Sequence, residues 1–273
     1  RLLKNNFLIQ MCNFFKSQSI EKLLAIVYET FRIIDSSKKK KIKIKKDGSI
    51  VTQADIEVEN HICNKLGAID KSITIISEEK DFKKSYFLKK KYWLIDPIDG
   101  TSNYESGGSE FTVNIALIVG GMPVLGLIGH PPSKKIWYSI EKNAFLVNNN
   151  KTKKLLFSDN VSKNPSIICS KNLDYKTRSF IKKYKFNKIQ KLSSSLKFCR
   201  IAEGKADIYP RFFPISKWDI AAGDAIVRGM GGITIDEKGK PFNYLTESSS
   251  TGKFYVASNN FYKKFLIQNA IFY

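Results

Sequence analysis

Apolar residues recur at helical spacing through SIEKLLAIVYETFRIID (19–35), and Ser19 stands where an N-cap belongs, so the pattern predicts a helix. KKKKIKIKK (38–46) alternates charge with isoleucine and reads as an exposed edge or loop. DGSIVTQADIEVENHICNKLGA then predicts a turn, a short extended piece and a second helix from about Ala54. ITIISEE (73–79) is an apolar run closed by two glutamates, and YWLIDPIDG (92–100) is one closed by two aspartates; both read as buried strands. EFTVNIALIVGGMPVLGLIGHP (110–131) reads as a hairpin about Gly120-Gly121, and IWYSIE and AFLV extend it into a meander. The first half is therefore helices followed by an antiparallel-rich sheet.

The polar stretch near 148–165 marks the expected lobe boundary, giving an N-terminal lobe at 1–150 and a C-terminal lobe at 151–273. Beyond it, PSIICS, LDYKTRSFIKKY, NKIQKL, SLKFCRIAEG, ADIYP, KWDIAAGDAIVRGMGG and ITIDE alternate between strand and helix patterns, which predicts an α/β lobe. FYVASNN (254–260) and a short terminal helix close it. There is no internal repeat and no linker long enough to separate the lobes.

The 273 residues carry a net charge of +21. That balance suits an anionic partner: nucleic acid, a membrane surface or a phosphorylated small molecule. The abundance of Lys, Asn, Ile and Phe also suits compositional drift on solvated faces. The four cysteines, Cys12, Cys63, Cys169 and Cys199, are scattered without a CxxC, so neither a disulfide framework nor a zinc ribbon is expected, and a reducing cytoplasm fits. No apolar run reaches the ~18 residues of a membrane span. RLLKNNFLIQMCNFF is too interrupted by polar residues for a signal peptide, and Met11 is an alternative start. With only His61 and His130 present, catalysis would fall to carboxylates, hydroxyls and lysines. His130, in the hairpin, is read as packing.

The acidic residues supply a candidate site. Glu78 and Glu79 end one predicted strand, Asp96 and Asp99 end another, Asp219 opens a predicted helix, and Asp55 lies near a helix start. Taken singly, each has an ordinary reading: Asp-Pro and Asp-Gly are turn dipeptides, and Asp before a helix is an N-cap. Gathered in one cleft, such carboxylates would repel each other unless a cation were present, and Mg²⁺ suits oxygen ligands of this kind. Pro97 would fix the turn so that Asp96 and Asp99 point to one place with the Ile98 carbonyl between them. Gly100 would let a phosphate approach the backbone, and Thr101 would add a hydroxyl at the start of a helical turn.

SEE (77–79), DPIDGT (96–101) and WDIAAGDAIV (218–227) resemble the pattern of the inositol monophosphatase superfamily of Mg²⁺-dependent, lithium-sensitive phosphatases. DGSIVTQAD resembles that superfamily's upstream segment, and the likeness runs from about residue 20 to residue 260. GSEFTVNIALI and SSSLKFCRIAEGKADIYPRFFPISKWD (193–219) are similar to its CysQ-type 3'(2'),5'-bisphosphate nucleotidase branch. Enzymes of that branch remove the 3'-phosphate of adenosine 3',5'-bisphosphate (PAP), and in some cases of PAPS, in sulfate assimilation.

The resemblance implies a sugar-phosphatase fold, a layered α+β and α/β sandwich (αβαβα). It implies two or three Mg²⁺ per site, held by Glu78, Asp96, the Ile98 carbonyl, Asp99 and Asp219, with Asp96 bridging two of them. Gly100 and Thr101 would bind the scissile phosphate, and Thr101 would orient the attacking water with Asp55 behind it as proton acceptor. Ser194, Ser195, Lys197 and Arg211 would face the nucleotide, with Lys197 on the second phosphate. The implied reaction is a direct in-line displacement in which two metals clamp the attacking and departing oxygens. The loop SNYESGGSEF departs from the pattern, since CysQ-type enzymes often carry basic residues there; Lys217 would supply the missing charge.

The alternatives are another phosphate ester on the same fold (inositol phosphate, fructose 1,6-bisphosphate, histidinol phosphate) and a basic, non-catalytic nucleic-acid-binding protein. Against the second, no helix-turn-helix, zinc or RNA-binding motif is present, so no nucleic-acid partner is expected. The expected protein is a cytoplasmic monomer or homodimer, its basic surface open to peripheral contact with the inner face of the membrane.

Overall fold

The computed structural model describes residues 17–37, 42–44, 48–140, 142–157 and 164–268. Helix α1 (Ser17–Ser37) is followed by a small antiparallel pair, β1 (Ile42–Ile44) and β2 (Ile50–Thr52), and by α2 (Gln53–Ile69). The N-terminal residues, Cys12 and most of the lysine-rich run at 38–46 lie outside the described residues, as does the side chain of Ser19; α1 begins at Ser17, two residues before the expected cap.

A seven-stranded sheet follows in the order β3-β4-β5-β6-β7-β8-β9. Its strands are β3 (Thr74–Ser77), β4 (Lys91–Asp99), β5 (Thr112–Val119), β6 (Met122–His130), β7 (Lys135–Ile140), β8 (Asn143–Asn148) and β9 (Lys151–Leu155). Only β3 and β4 run parallel; the rest form the antiparallel meander that the apolar runs predict. Strand β9, KTKKL, is an addition to that expectation: its exposed lysines carry no apolar signal, and cross-strand pairing with β8 extends it.

The second sheet has the order β11-β10-β12-β14-β13, from β10 (Ser166–Cys169), β11 (Lys188–Lys191), β12 (Ile208–Arg211), β13 (Gly232–Asp236) and β14 (Phe254–Ser258). Between these strands run α3 (Thr101–Glu105, after β4), α4 (Tyr175–Lys183), α5 (Leu196–Ala202) and α6 (Trp218–Gly229). A terminal helical segment spans Asn259–Phe261 and continues as a π-helix over Tyr262–Ile267.

Strand alternation sorts the core into layers. In β4, Trp93 and Ile95 join α1 and α2 on one face, while Tyr92 and Leu94 face α5 and α6. In β14, Phe254 and Val256 face those same central helices, while Tyr255 and Ala257 face the outer layer of Phe180, Phe261 and Leu266. The stacking is helix, sheet, helix, sheet, helix. Both sheets are covered on both faces, which is why their central strands are nearly continuous apolar runs.

The middle layer depends on close approach. Gly223 of α6 leaves room for Phe198 of α5, whose Cγ would lie 2.2 Å from an added Cβ. Behind it, buried Asp224 accepts from Arg228 Nε at 2.6 Å and from the Tyr244 hydroxyl at 3.0 Å. Lys217 is buried in this layer too. Its ammonium donates to the Tyr244 and Thr246 carbonyls at 3.0 and 2.8 Å and lies 4.4 Å from the Phe87 ring centre. It therefore braces the start of α6 and does not supply charge to the loop after β4, which corrects that expectation. Among the described residues no helix is long and apolar enough to cross a membrane. Gly223→Ala should destabilise the protein by about 1–3 kcal/mol, because α5 and α6 must separate; urea unfolding measures it.

Candidate active site

Local sequence places each acidic group. Strand β4 runs through both aspartates to Asp99, as the pattern suggests, with a register break: Asp96 pairs with Asn114 and Asp99 with Thr112. The bulge adds one residue on β4 between Asp96 and Asp99, a stretch that holds Pro97, which has no N–H to give the ladder. Gly100 follows at φ +94, and an added Cβ would meet the Glu110 carbonyl at 2.9 Å. The glycine is thus required by a left-handed turn and by neighbouring protein backbone.

Asp55 sits in the first turn of α2 in a reciprocal cap: the Thr52 hydroxyl accepts from Asp55 N, and the Asp55 carboxylate accepts from Thr52 N at 2.7 Å. Its other oxygen accepts from the Thr101 hydroxyl at 3.1 Å, a hydroxyl that also lies 2.9 Å from the Ile98 carbonyl. Asp219 stands in the first turn of α6 and accepts from Ser216 N at 3.1 Å.

Carboxylate oxygens of Glu78, Asp96 and Asp219 lie within 4.8 Å of one another. Asp96 is buried, and its Oδ1 has no hydrogen-bond partner. Burial, then the charges of Glu78, Asp99 and Asp219, push the Asp96 carboxyl well above the carboxylate range. Burial, Asp99 and Glu78 do the same to Asp219. Asp99 is raised to about 6 by burial, against the opposing pull of Lys197 and of hydrogen bonds from Ser195 N and Asn114. A buried carboxylate oxygen without a donor, inside a cluster of like charge, is the donor set of a hard cation. The residues present fit a divalent metal.

Asp99 and Asp219 also line a cavity of about 300 Å³, together with Lys171, Lys197 and Arg211. Lys197 is buried; its ammonium donates to the Ser194 carbonyl at 2.6 Å and the Leu192 carbonyl at 3.3 Å, and burial lowers its pKa to about 8. Arg211 donates to Ser170 Oγ at 2.9 Å and to the Phe213 carbonyl at 3.1 Å. Ser194 lines the cavity in a left-handed conformation. Ser195 does not line it: its hydroxyl is buried against Thr112 and Asn114, each at 2.7 Å, and its N–H donates to Asp99 at 2.5 Å. The structure gives Ser195 a positioning task where substrate contact was expected.

Four residues that the pattern did not single out, Glu110, Lys171, Ser193 and Asn114, line the cavity or support residues that do. Glu110 accepts from Ser193 N at 2.8 Å and pairs with Lys171 at 3.0 Å, tying the loop after α3 to the second half of the chain. Ser193 also lines the cavity, and Asn114 donates to Asp99 at 3.3 Å. Lone polar residues inside strand and loop patterns carry no sequence signal of this kind. His130, read as packing, serves instead as a polar brace: its ring bonds Ser133 Oγ at 2.6 Å and the Ser109 carbonyl at 2.7 Å.

The cluster yields a direct test. Asp96→Asn should raise the melting temperature of the metal-free protein at neutral pH, because a carboxyl with a raised pKa opposes folding when ionised. The same change should abolish any further rise on adding millimolar Mg²⁺, which wild-type protein should show. Differential scanning calorimetry with and without the metal measures both.

Comparison with known proteins places the chain in a family. The sequence pattern of the inositol monophosphatase family matches residues 14–268. A 3'(2'),5'-bisphosphate nucleotidase CysQ of Salmonella typhimurium is 34% identical over 223 residues, 80% of this chain and 89% of the relative. Its namesake from Buchnera aphidicola is 37% identical over 221 residues, 80% of this chain and 82% of the relative. Among solved structures, CysQ from Bacteroides thetaiotaomicron superposes with a TM-score of 0.74 at 27% identity, covering 87% of this chain and 97% of the other. An inositol monophosphatase of Thermotoga maritima shares the fold, with a TM-score of 0.77 at 24% identity over 93% of this chain and 98% of the other. With its layered fold and buried carboxylate cluster, the chain belongs to the inositol monophosphatase family.

Proposed function

We propose that this protein is a Mg²⁺-dependent phosphatase that hydrolyses the 3'-phosphate of adenosine 3',5'-bisphosphate, with PAPS as a second substrate. One observation carries the reading: Asp219 of the buried carboxylate cluster, together with Asp99, lines a cavity that Lys171, Lys197 and Arg211 also line. A substrate with two phosphates needs both sets of groups, and the similarity to CysQ bisphosphate nucleotidases supports that substrate class. The site would lie between the proposed lobes 1–150 and 151–273, the first giving Glu78, Asp96 and Asp99 and the second Asp219 and Lys197.

Glu78, Asp96, the Ile98 carbonyl, Asp99 and Asp219 would hold the metal ions, two or three in number. When bound, Mg²⁺ supplies Lewis acidity and neutralises phosphoryl charge. The chain's own groups do the rest. Thr101 orients a water through its hydroxyl, which is shared between Asp55 and the Ile98 carbonyl. Water oxygen bonds to phosphorus as the bond to the ribose 3'-oxygen breaks. The water's proton passes to the Thr101 hydroxyl as that hydroxyl's proton passes to Asp55, whose carboxyl is raised by burial and is thus the better base. The ribose oxygen takes a proton from solvent, leaving AMP and phosphate. Gly100 and Thr101 would present backbone N–H groups to the scissile phosphate, and Lys197, Arg211 and Ser194 would take the second phosphate. Lys171, which also lines the cavity, would join them.

Phosphate release from adenosine 3',5'-bisphosphate and from inositol 1-phosphate, run side by side with Mg²⁺, tests the reading. Turnover of the bisphosphate that requires Mg²⁺ and falls with millimolar lithium is expected. Preference for inositol phosphate would keep the metal site and overturn the substrate. Asp96→Asn should leave no measurable turnover, and Thr101→Ala should lower kcat by roughly 100-fold or more, the scale of one lost proton-transfer group.

A further inference from the structure

Nine large apolar side chains are exposed among the described residues, and only two of them are aromatic: Tyr175, 61% exposed, and Phe213, 39% exposed. They touch each other, with ring centres 6.2 Å apart and planes at 70°. Scattered exposed apolar residues are ordinary; a pair of exposed rings in contact is less so. Their position adds to this. Phe213 lies between Arg211 and Ile215, both of which line the cavity, and Tyr175 follows the lining run Ser170–Asn172 at the start of α4. The Arg211 guanidinium bonds both loops, through Ser170 Oγ and the Phe213 carbonyl. This arginine, which lines the cavity, thereby fixes the loops that carry the rings.

We propose that Tyr175 and Phe213 form a seat for the nucleobase of the substrate at the rim of the cavity. This inference rests on the nucleotide reading above and names the residues that would distinguish a nucleotide from a base-free phosphate ester. Size supports it. A cavity of about 300 Å³ is at the small end of ligand sites, so a nucleotide with two phosphates would extend to its rim. Chemistry supports it as well. An edge-to-face pair offers a flat base one ring face and one ring edge, and such stacking tolerates any base with a π face. Lys176 Nζ stands 5.7 Å from the Tyr175 ring centre and 5.2 Å from that of Phe213, which places positive charge beside an anionic ligand.

The test compares adenosine 3',5'-bisphosphate with ribose 3,5-bisphosphate, which carries the same phosphates without the base. Wild-type protein should favour the nucleotide in kcat/KM by roughly 5- to 100-fold, the range for one stacked base. Tyr175→Ala with Phe213→Ala should remove that preference and leave the base-free substrate unchanged, which also shows that the double variant is folded. A preference that survives in the double variant overturns the seat while leaving the proposed function intact. Wild-type protein that turns over neither compound overturns the proposed function and the seat with it.

Discussion

Everything at the candidate site depends on one electrostatic constraint: Asp96 is buried among carboxylates of its own sign. Burial and the charges of Glu78, Asp99 and Asp219 all act against its ionisation, and one of its oxygens has no donor. A fold stabilised only by its own contacts would not keep such a group. A divalent cation reverses each of these costs at once, since it supplies the missing partner and turns mutual repulsion into shared attraction. The surrounding protein is arranged to hold the carboxylates close in spite of that repulsion.

The holding structure comes from every layer. The β4 bulge between Asp96 and Asp99 aims both carboxylates from an interior strand. The start of α6 carries Asp219, and buried Lys217, bonded to the Tyr244 and Thr246 carbonyls, anchors that start from behind. Ser195 extends the support across the two sheets: its hydroxyl is satisfied by Thr112 and Asn114 of β5, and its N–H is given to Asp99. Glu110 repeats the device one turn of chain away, receiving Ser193 N and pairing Lys171. The loop at Ser193–Ser195 thus reaches both Asp99 of the acidic side and Glu110, the partner of Lys171.

Much of this was legible in the chain. Apolar runs and their turns fixed the hairpin at Gly120-Gly121 and the strand–helix alternation of the second half, because strands covered on both faces must be apolar throughout. The acidic motifs were legible as a group, and the structure brings Glu78, Asp96 and Asp219 together as their combination suggested. Other readings failed for identifiable reasons. KTKKL carries no apolar signal, yet it pairs as β9 because an edge strand needs only a neighbour's backbone. Lys217 looked like a charge beside the site, but nothing in its own segment foretold the carbonyls of 244 and 246 that bury it.

The sequence by itself determined most of the elements and the residues able to do chemistry, because periodicity and residue type are local properties, while the layered class followed from the family resemblance of its motifs. Only the tertiary structure decided which of those residues face the cavity and which brace it. Ser194 and Ser195 are adjacent and chemically alike, yet one lines the cavity and the other is sealed against β5. The left-handed backbone at Ser194 and the carboxylate of Asp99, far away along the chain, separate their roles. Contacts between distant segments set direction and burial, and direction and burial turn a list of polar residues into a site.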